Sequence, residues 1–460
     1  MKKFNSLAIS NADDLIFGNA QNPVKCGNGM VIGDGVVFPE INFTLPSIKI
    51  SGETWKEVLQ QYREIADNIS RRARALKAPG FVVEFEQLPP MTQNPQMGAE
   101  ITEILKNALN QLYQNDGIKN ALRVTVVDLR DADRPPQLRD GNACHQTLSA
   151  FELSAQAGAD ILSIESVGGK EIHDQALMYA DLKGIIASLG ILAYRDVSWL
   201  WQQIKTITNR YNIIAGGDTA CGFANTAMQL AGQGMLPDIL AALVRAASVP
   251  RSLAAYENGA IGPSKDCAYE GPYIKAITGT PISMEGKSSC CAHFSPLGNI
   301  AAAAADLWSN ESVQNVRLLS GNAPEVFYEL LEYDCRLFNT ATKHNTQRQL
   351  RELFVQSDIR QNIQALMLEP ETVLKISRAI VEQTGGYNQT LAAAKTAFHC
   401  MQQAADSGLV HLSEIESSWF LKLKQELDEV PVLEDEALNW LYENYGSLFI
   451  PESYNLKNLV

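Results

Sequence analysis

The sequence predicts an α/β fold: a (β/α)8 TIM barrel with an irregular N-terminal arm and an all-helical C-terminal extension. Three observations carry that reading. Short, nearly continuous apolar runs alternate with stretches of helical length at least six times before residue 290, the pattern of parallel strands joined by crossover helices. No Gly-x-Gly-x-x-Gly follows the first run, which removes the usual dinucleotide-binding open sheet. Beyond residue 300 the strand signal fades.

The expected division is an arm over 1–54, the barrel over 55–300 and a helical accessory region over 301–460. In the arm, Asn28-Gly29 and Asp34-Gly35 mark turns and predict a hairpin. Glycines 27, 29, 33 and 35 do not make a phosphate loop, because Pro39 follows where a helix N-terminus is needed. The six strand-like runs are 80–86, 122–128, 160–165, 191–195, 211–215 and 253–257, each bounded by turn residues as a doubly buried strand should be. Residues 144–157 and 199–209 read as crossover helices. In the extension, 301–308, 324–340, 346–355, 370–383, 389–406 and 413–427 read as helices.

Composition excludes several classes of function. The chain has 460 residues, 46% hydrophobic and 20% charged, an ordinary globular balance. With Lys+Arg 38 against Asp+Glu 52 the net charge is -14, the wrong sign for a nucleic-acid binder. No uncharged apolar run reaches the roughly 18 residues of a membrane helix. The N-terminus lacks the apolar core of a secretion signal, so a cytoplasmic, reducing compartment is expected and the 8 cysteines are read as thiols.

Chemistry concentrates where the runs end. Glu84, Glu86, Asp128, Glu165, Asp196, Asp218 and Glu257 close them, and in a barrel those ends form the catalytic face. For most of these acids, capping of the following helix is the plainer expectation. Cys221 follows the run at 211–215, and Cys267 follows the run at 253–257. With Glu165 they place two soft thiolates and one carboxylate on one rim, a set that suits zinc with an open fourth position. Buried cysteines serving only as small hydrophobes are the alternative.

Three long motifs sharpen this. Ser163-Ile-Glu165-Ser-Val-Gly-Gly-Lys-Glu171, Gly217-Asp-Thr-Ala-Cys221-Gly-Phe-Ala-Asn-Thr-Ala-Met228 and the stretch from Pro250 through Tyr256-Glu-Asn-Gly to Lys265-Asp-Cys267 closely resemble the methanol:corrinoid methyltransferases. These are the zinc-containing methyltransferase subunits of methanogens and acetogens. The likeness continues through 275–287 and 308–311 and includes Pro39-Glu-Ile-Asn42. It implies one zinc ion per chain held by Glu165, Cys221 and Cys267, and transfer of the methyl group of methanol to cob(I)alamin. None of the histidines at 145, 173, 293, 344, 399 and 411 stands in the Asp-x-His-x-x-Gly loop of a corrinoid binder. The cobamide is therefore expected on a separate corrinoid protein in a hetero-complex, within which the chain is expected to form a homo-oligomer.

Zinc with three anionic ligands is formally -1, a weak Lewis acid, so a donor or cation beside the leaving oxygen is expected. Lys170, Lys265, Tyr256 and Asp218 are the candidates by loop position. A rival metal set joins Cys221 to Cys290 and Cys291, near His293, as in zinc enzymes that activate homocysteine, but Ser288-Ser289 replaces the glycines of their turn. Another alcohol or a methoxylated compound as donor, or a non-catalytic assembly subunit, are further alternatives. Cys26, Cys144, Cys335 and Cys400 are assigned to packing, and His145 to the surface or a helix cap.

Overall fold

The computed structural model describes residues 3–42, 48–265, 267–311, 317–319 and 321–457. After a short 3-10 turn at Ala12–Asp14 comes the hairpin that the glycine turns predict. Strand β1 (Asn19–Cys26) pairs antiparallel with β2 (Met30–Asp34) across Gly27-Asn28-Gly29. Gly27 has φ 51°, and a side chain there would collide with the Asn120 carbonyl on the barrel, so glycine alone fits.

Among the described residues the barrel sheet has seven strands, all parallel: β3 (Phe38–Asn42), β4 (Gly80–Glu86), β5 (Lys119–Val126), β6 (Ile161–Ile164), β7 (Ile214–Asp218), β8 (Ser283–Glu285) and β9 (Leu307–Glu311). Their order is β7-β6-β5-β4-β3-β9-β8. An irregular segment spans the gap between the two edges. Ile261 N donates to Ala215 O (2.9 Å) beside β7, and Ser283 N of β8 donates to Ser264 O (3.1 Å). Pro263 lies within this segment and has no N–H to give a ladder, and among the described residues the eighth position holds no regular strand.

Two expected strands are helical instead. Residues 191–195 lie in a continuous helical rod, Leu182–Ala187, Ser188–Ala193 and Tyr194–Tyr211, whose middle section is a π turn. Residues 253–257 are the last turn of the helix Asp238–Glu257. Residues 191–193 and 253–257 are buried and Tyr194 and Arg195 half-buried, and a helix with so little wet face leaves no clear period to distinguish it from a buried strand. Conversely, β3 comes from the segment read as the arm, and β9 from the segment read as helix. Only Ile300–Ala304 is helical there, as a short 3-10 turn. The β9 sequence, Leu-Trp-Ser-Asn-Glu, is too short and too polar to stand out.

Helix Asp238–Glu257 is long and apolar enough to cross a membrane by composition, but it is wholly buried, packed between Tyr194–Tyr211 and Gly386–Asp406. The extension forms its expected helices Ala323–Lys343, Gln347–Asp358, Pro370–Val381, Gly386–Asp406 and Glu414–Asp428, plus Glu434–Tyr445. Ala323–Lys343 packs against β3 and against Trp55–Leu76, so the extension is built onto the barrel wall.

Candidate metal centre

Three loops at the C-terminal ends of the barrel strands supply the site. Glu165 directly follows β6. Cys221, three residues past β7, opens the π turn Cys221–Asn225. Cys267 lies in the loop that leads to helix Gly271–Thr278. The candidate ligand atoms of these three residues lie within 4.8 Å of one another. Cys267 is buried and the other two are half-buried, with Glu165 Oε1 3.4 Å from Cys267 Sγ.

The two sulfurs meet as a disulfide, with their Cα atoms 5.4 Å apart. The loops deliver both sulfurs to one point. A linked pair supplies no thiolate, whereas the reduced pair supplies two from the same backbone positions.

Buried polar groups brace the loops. Arg251 donates to Ser166 O (2.9 Å), Ser166 Oγ (2.6 Å) and Asp218 Oδ1 (2.9 Å). Asp218 also accepts from Ser166 N (3.2 Å) and Trp201 Nε1 (2.9 Å). This ties the residue after Glu165 to the strand that leads to Cys221. On the other side Glu270 Oε1 accepts from Ala220 N (2.6 Å) and Ser252 Oγ (2.8 Å), joining the Cys267 loop to the residue before Cys221.

Charge gathers around Lys265. Its Nζ lies 2.8 Å from Glu86 Oε2, 3.4 Å from Glu165 Oε1 and 3.7 Å from Glu84 Oε1. Burial alone would lower its pKa, but the surrounding carboxylates outweigh that and hold it well above the usual lysine value. Burial pushes Glu84 up to about 8 and Glu165 up to about 7, in each case against the pull of Lys265. For Glu86, burial raises the pKa, but Lys265 and the Asn42 amide win and hold it below the ordinary value.

The other strand-end acids are not helix caps, as had been expected for most of them. Asp128 and Asp196 grip the buried Arg130 (2.7 and 2.8 Å), Asp218 holds Arg251, and Glu257 accepts from the Tyr194 hydroxyl. Buried arginines need counter-charges, and that demand decides the partners.

The rival cysteine set is not assembled. Cys290 Sγ lies 2.8 Å from the Tyr269 hydroxyl, and Cys291 is exposed on the same short helix. Among the described residues, the one group of His, Cys, Asp or Glu placed to hold a metal is Glu165, Cys221 and Cys267. Cys26, Cys144, Cys335 and Cys400 are buried free thiols, and the His145 side chain is 77% exposed, as expected of packing and surface residues. Once reduced, the donor set of two sulfurs and one oxygen fits borderline-soft zinc with three protein ligands and an open side.

A family model for the methanol-cobalamin methyltransferase B subunit matches residues 1–455. The chain belongs to that family. The methanol–corrinoid protein co-methyltransferase of Methanosarcina barkeri is 37% identical to it over 461 residues, 98% of this chain and 99% of that one. The crystal structure of the methanol:cobalamin methyltransferase complex MtaBC from the same organism contains a chain that superposes with a TM-score of 0.94 at 36% identity, covering 99% and 100% of the two. The chain is thus a methyltransferase on a barrel. The Arg251, Asp218 and Ser166 clamp and the Glu270 tie were missed in the sequence. Their only local signal is a charged residue inside an apolar stretch, as at Arg251 in helix Asp238–Glu257.

Proposed function

We propose that the chain moves the methyl group of methanol to the cob(I)alamin of a separate corrinoid protein, and that Glu165 and the reduced Cys221 and Cys267 hold one zinc ion for that reaction. The observation that supports this most is the convergence of these three side chains, from three separate loops, at the catalytic end of a barrel of this family. Bound zinc would supply the Lewis acidity that a C–O bond needs, since hydroxide is a very poor leaving group. The protein's own part is to build and keep the geometry. Arg251 and Asp218 fix the loop of Glu165 against the strand before Cys221, and Glu270 fixes the loop of Cys267 against the same point. Holding the alcohol at a set place on the rim, facing the incoming corrinoid, gives the entropic share of the rate. The partner reading rests on the lack of a cobalt-ligating Asp-x-His-x-x-Gly loop in this chain.

The test mixes the reduced chain with its corrinoid protein in the cob(I)alamin state and methanol, and follows methylcobalamin by absorbance. Glu165→Ala, Cys221→Ser and Cys267→Ser should each lower the rate by about 1000-fold or more. Variants that methylate at the wild-type rate would overturn the reading.

A further inference from the structure

The donor set leaves a charge problem. A dication with two thiolates and a carboxylate is already at -1 by count, and departing hydroxide adds a second negative charge at the same spot. Of the four candidate side chains that could answer it, two are committed elsewhere and a third is walled in. Lys170 pairs with Asp174 one helical turn on. Asp218 is taken up by Arg251 and Trp201. Tyr256 is buried beside Gly217 and Ser264, where a side chain on Gly217 would press against its hydroxyl.

Lys265 is different. It is carried two residues before Cys267 on the same loop, its side chain is 5% exposed, and its Nζ stands 3.4 Å from the Glu165 oxygen that faces the Cys267 sulfur. Glu86 at 2.8 Å and Glu84 at 3.7 Å anchor it from β4. The side chains of Glu86, Glu165 and Glu84 on three sides fix its direction before any substrate arrives, which is what electrostatic preorganisation requires.

We propose that Lys265 is the charge partner of the departing hydroxide, an ammonium that donates an N–H to the oxygen as the C–O bond of methanol breaks. The inference rests on the methanol reading above. In that step the electron pair of cobalt(I) forms the cobalt–carbon bond, and the C–O pair leaves with the oxygen as hydroxide. Solvent supplies the proton that makes it water, and Lys265 keeps its own protons throughout.

The sign of the effect on metal binding separates this role from that of a strut for Glu165. A fixed cation beside a dication opposes its binding, so removing the charge leaves zinc affinity equal or tighter. Removing a strut weakens it. The experiment compares wild type with Lys265→Met, and with Lys265→Met/Glu86→Gln in case the single variant leaves its carboxylates too exposed to one another to fold. Each is measured for zinc affinity by chelator competition and for methanol-dependent methylation of the corrinoid protein. The expected result is undiminished zinc affinity with methylation slower by about 100-fold. In Lys265→Ala, added ammonium ion should restore part of the rate. Methylation within about threefold of wild type overturns the proposal, and so does a fall of about tenfold or more in zinc affinity. If wild type itself fails to methylate cob(I)alamin from methanol, it is the methanol reading that fails.

Discussion

Replacing Arg251 with methionine removes one guanidinium and keeps an apolar stem of similar length. Arg251 is fully buried, makes hydrogen bonds of 2.9, 2.6 and 2.9 Å to Ser166 and Asp218, and lies 4.8 Å from the Phe223 ring centre. Breaking a buried ion pair from one side costs about 3–5 kcal/mol, because the remaining charge is left without a partner. Asp218 retains its bonds from Trp201 Nε1 and Ser166 N, which places the expected loss at the low end, about 3 kcal/mol. Equilibrium denaturation of the reduced, metal-free protein measures it. Adding Asp218→Asn removes the stranded charge and should recover roughly half of the loss, a coupling that a double-mutant cycle reads directly. Because the clamp joins the loops of Glu165 and Cys221, zinc affinity should also fall by about tenfold or more. A loss below about 1 kcal/mol with unchanged zinc affinity would refute the idea that this clamp builds the site.

Three further outcomes are expected. Glu332 is buried on helix Ala323–Lys343, and burial raises its pKa from 4.5 to about 7, with Arg336 opposing from 3.9 Å. The folded state therefore holds this proton more tightly than the unfolded chain. Its contribution to stability is present below about pH 4.5 and is lost as the pH rises to 7. Glu332→Gln should accordingly raise stability at pH 8 by up to about 3 kcal/mol and gain nothing at pH 4, which Tm against pH will show; a lower Tm at pH 8 contradicts it. Gly217 sits in β7 at φ 146°, and a Cβ there would lie 2.9 Å from both Ser264 Cβ and the Tyr256 hydroxyl. Gly217→Ala should cost about 1–3 kcal/mol and loosen zinc, whereas wild-type stability would show that the Ser264 loop yields freely. Finally, Cys290→Ser with Cys291→Ser should keep the full metal content by elemental analysis; loss of the metal would revive the rival cysteine set.

The barrel was legible wherever a strand was bounded by turns and flanked by amphipathic helices. Gly80–Glu86 stands where the apolar run predicts it, and Lys119–Val126 and Ile161–Ile164 lie within a few residues of prediction. The sequence misled where burial blurred periodicity, at 191–195 and 253–257, since strands and helices that are mostly buried both read as short apolar runs. It was silent where a strand is only three residues long, as at Ser283–Glu285. The candidate ligands were legible because each sits in a long distinctive motif, with Glu165 and Cys221 just past strand ends and Cys267 beyond a run that proved helical. Lys265 was visible only as one of several charged loop residues. Its place among Glu84, Glu86 and Glu165 depends on contacts 100 or more positions apart, such as Lys265 to Glu86 at a separation of 179, which no local pattern encodes. The disulfide between Cys221 and Cys267 was likewise invisible to an argument that considered only the compartment.

The central claim is that one divalent ion on Glu165, Cys221 and Cys267 makes methyl transfer from methanol possible, and a stoichiometric titration tests it most directly. Zinc is added stepwise to the reduced, metal-stripped protein while free thiols and methanol-dependent methylation of the corrinoid protein are followed together. The account predicts that activity rises linearly and stops at one zinc per chain, as the Cys221 and Cys267 thiols disappear from the titratable pool. Full activity before any zinc is added, or with these two sulfurs still joined to each other, would contradict it.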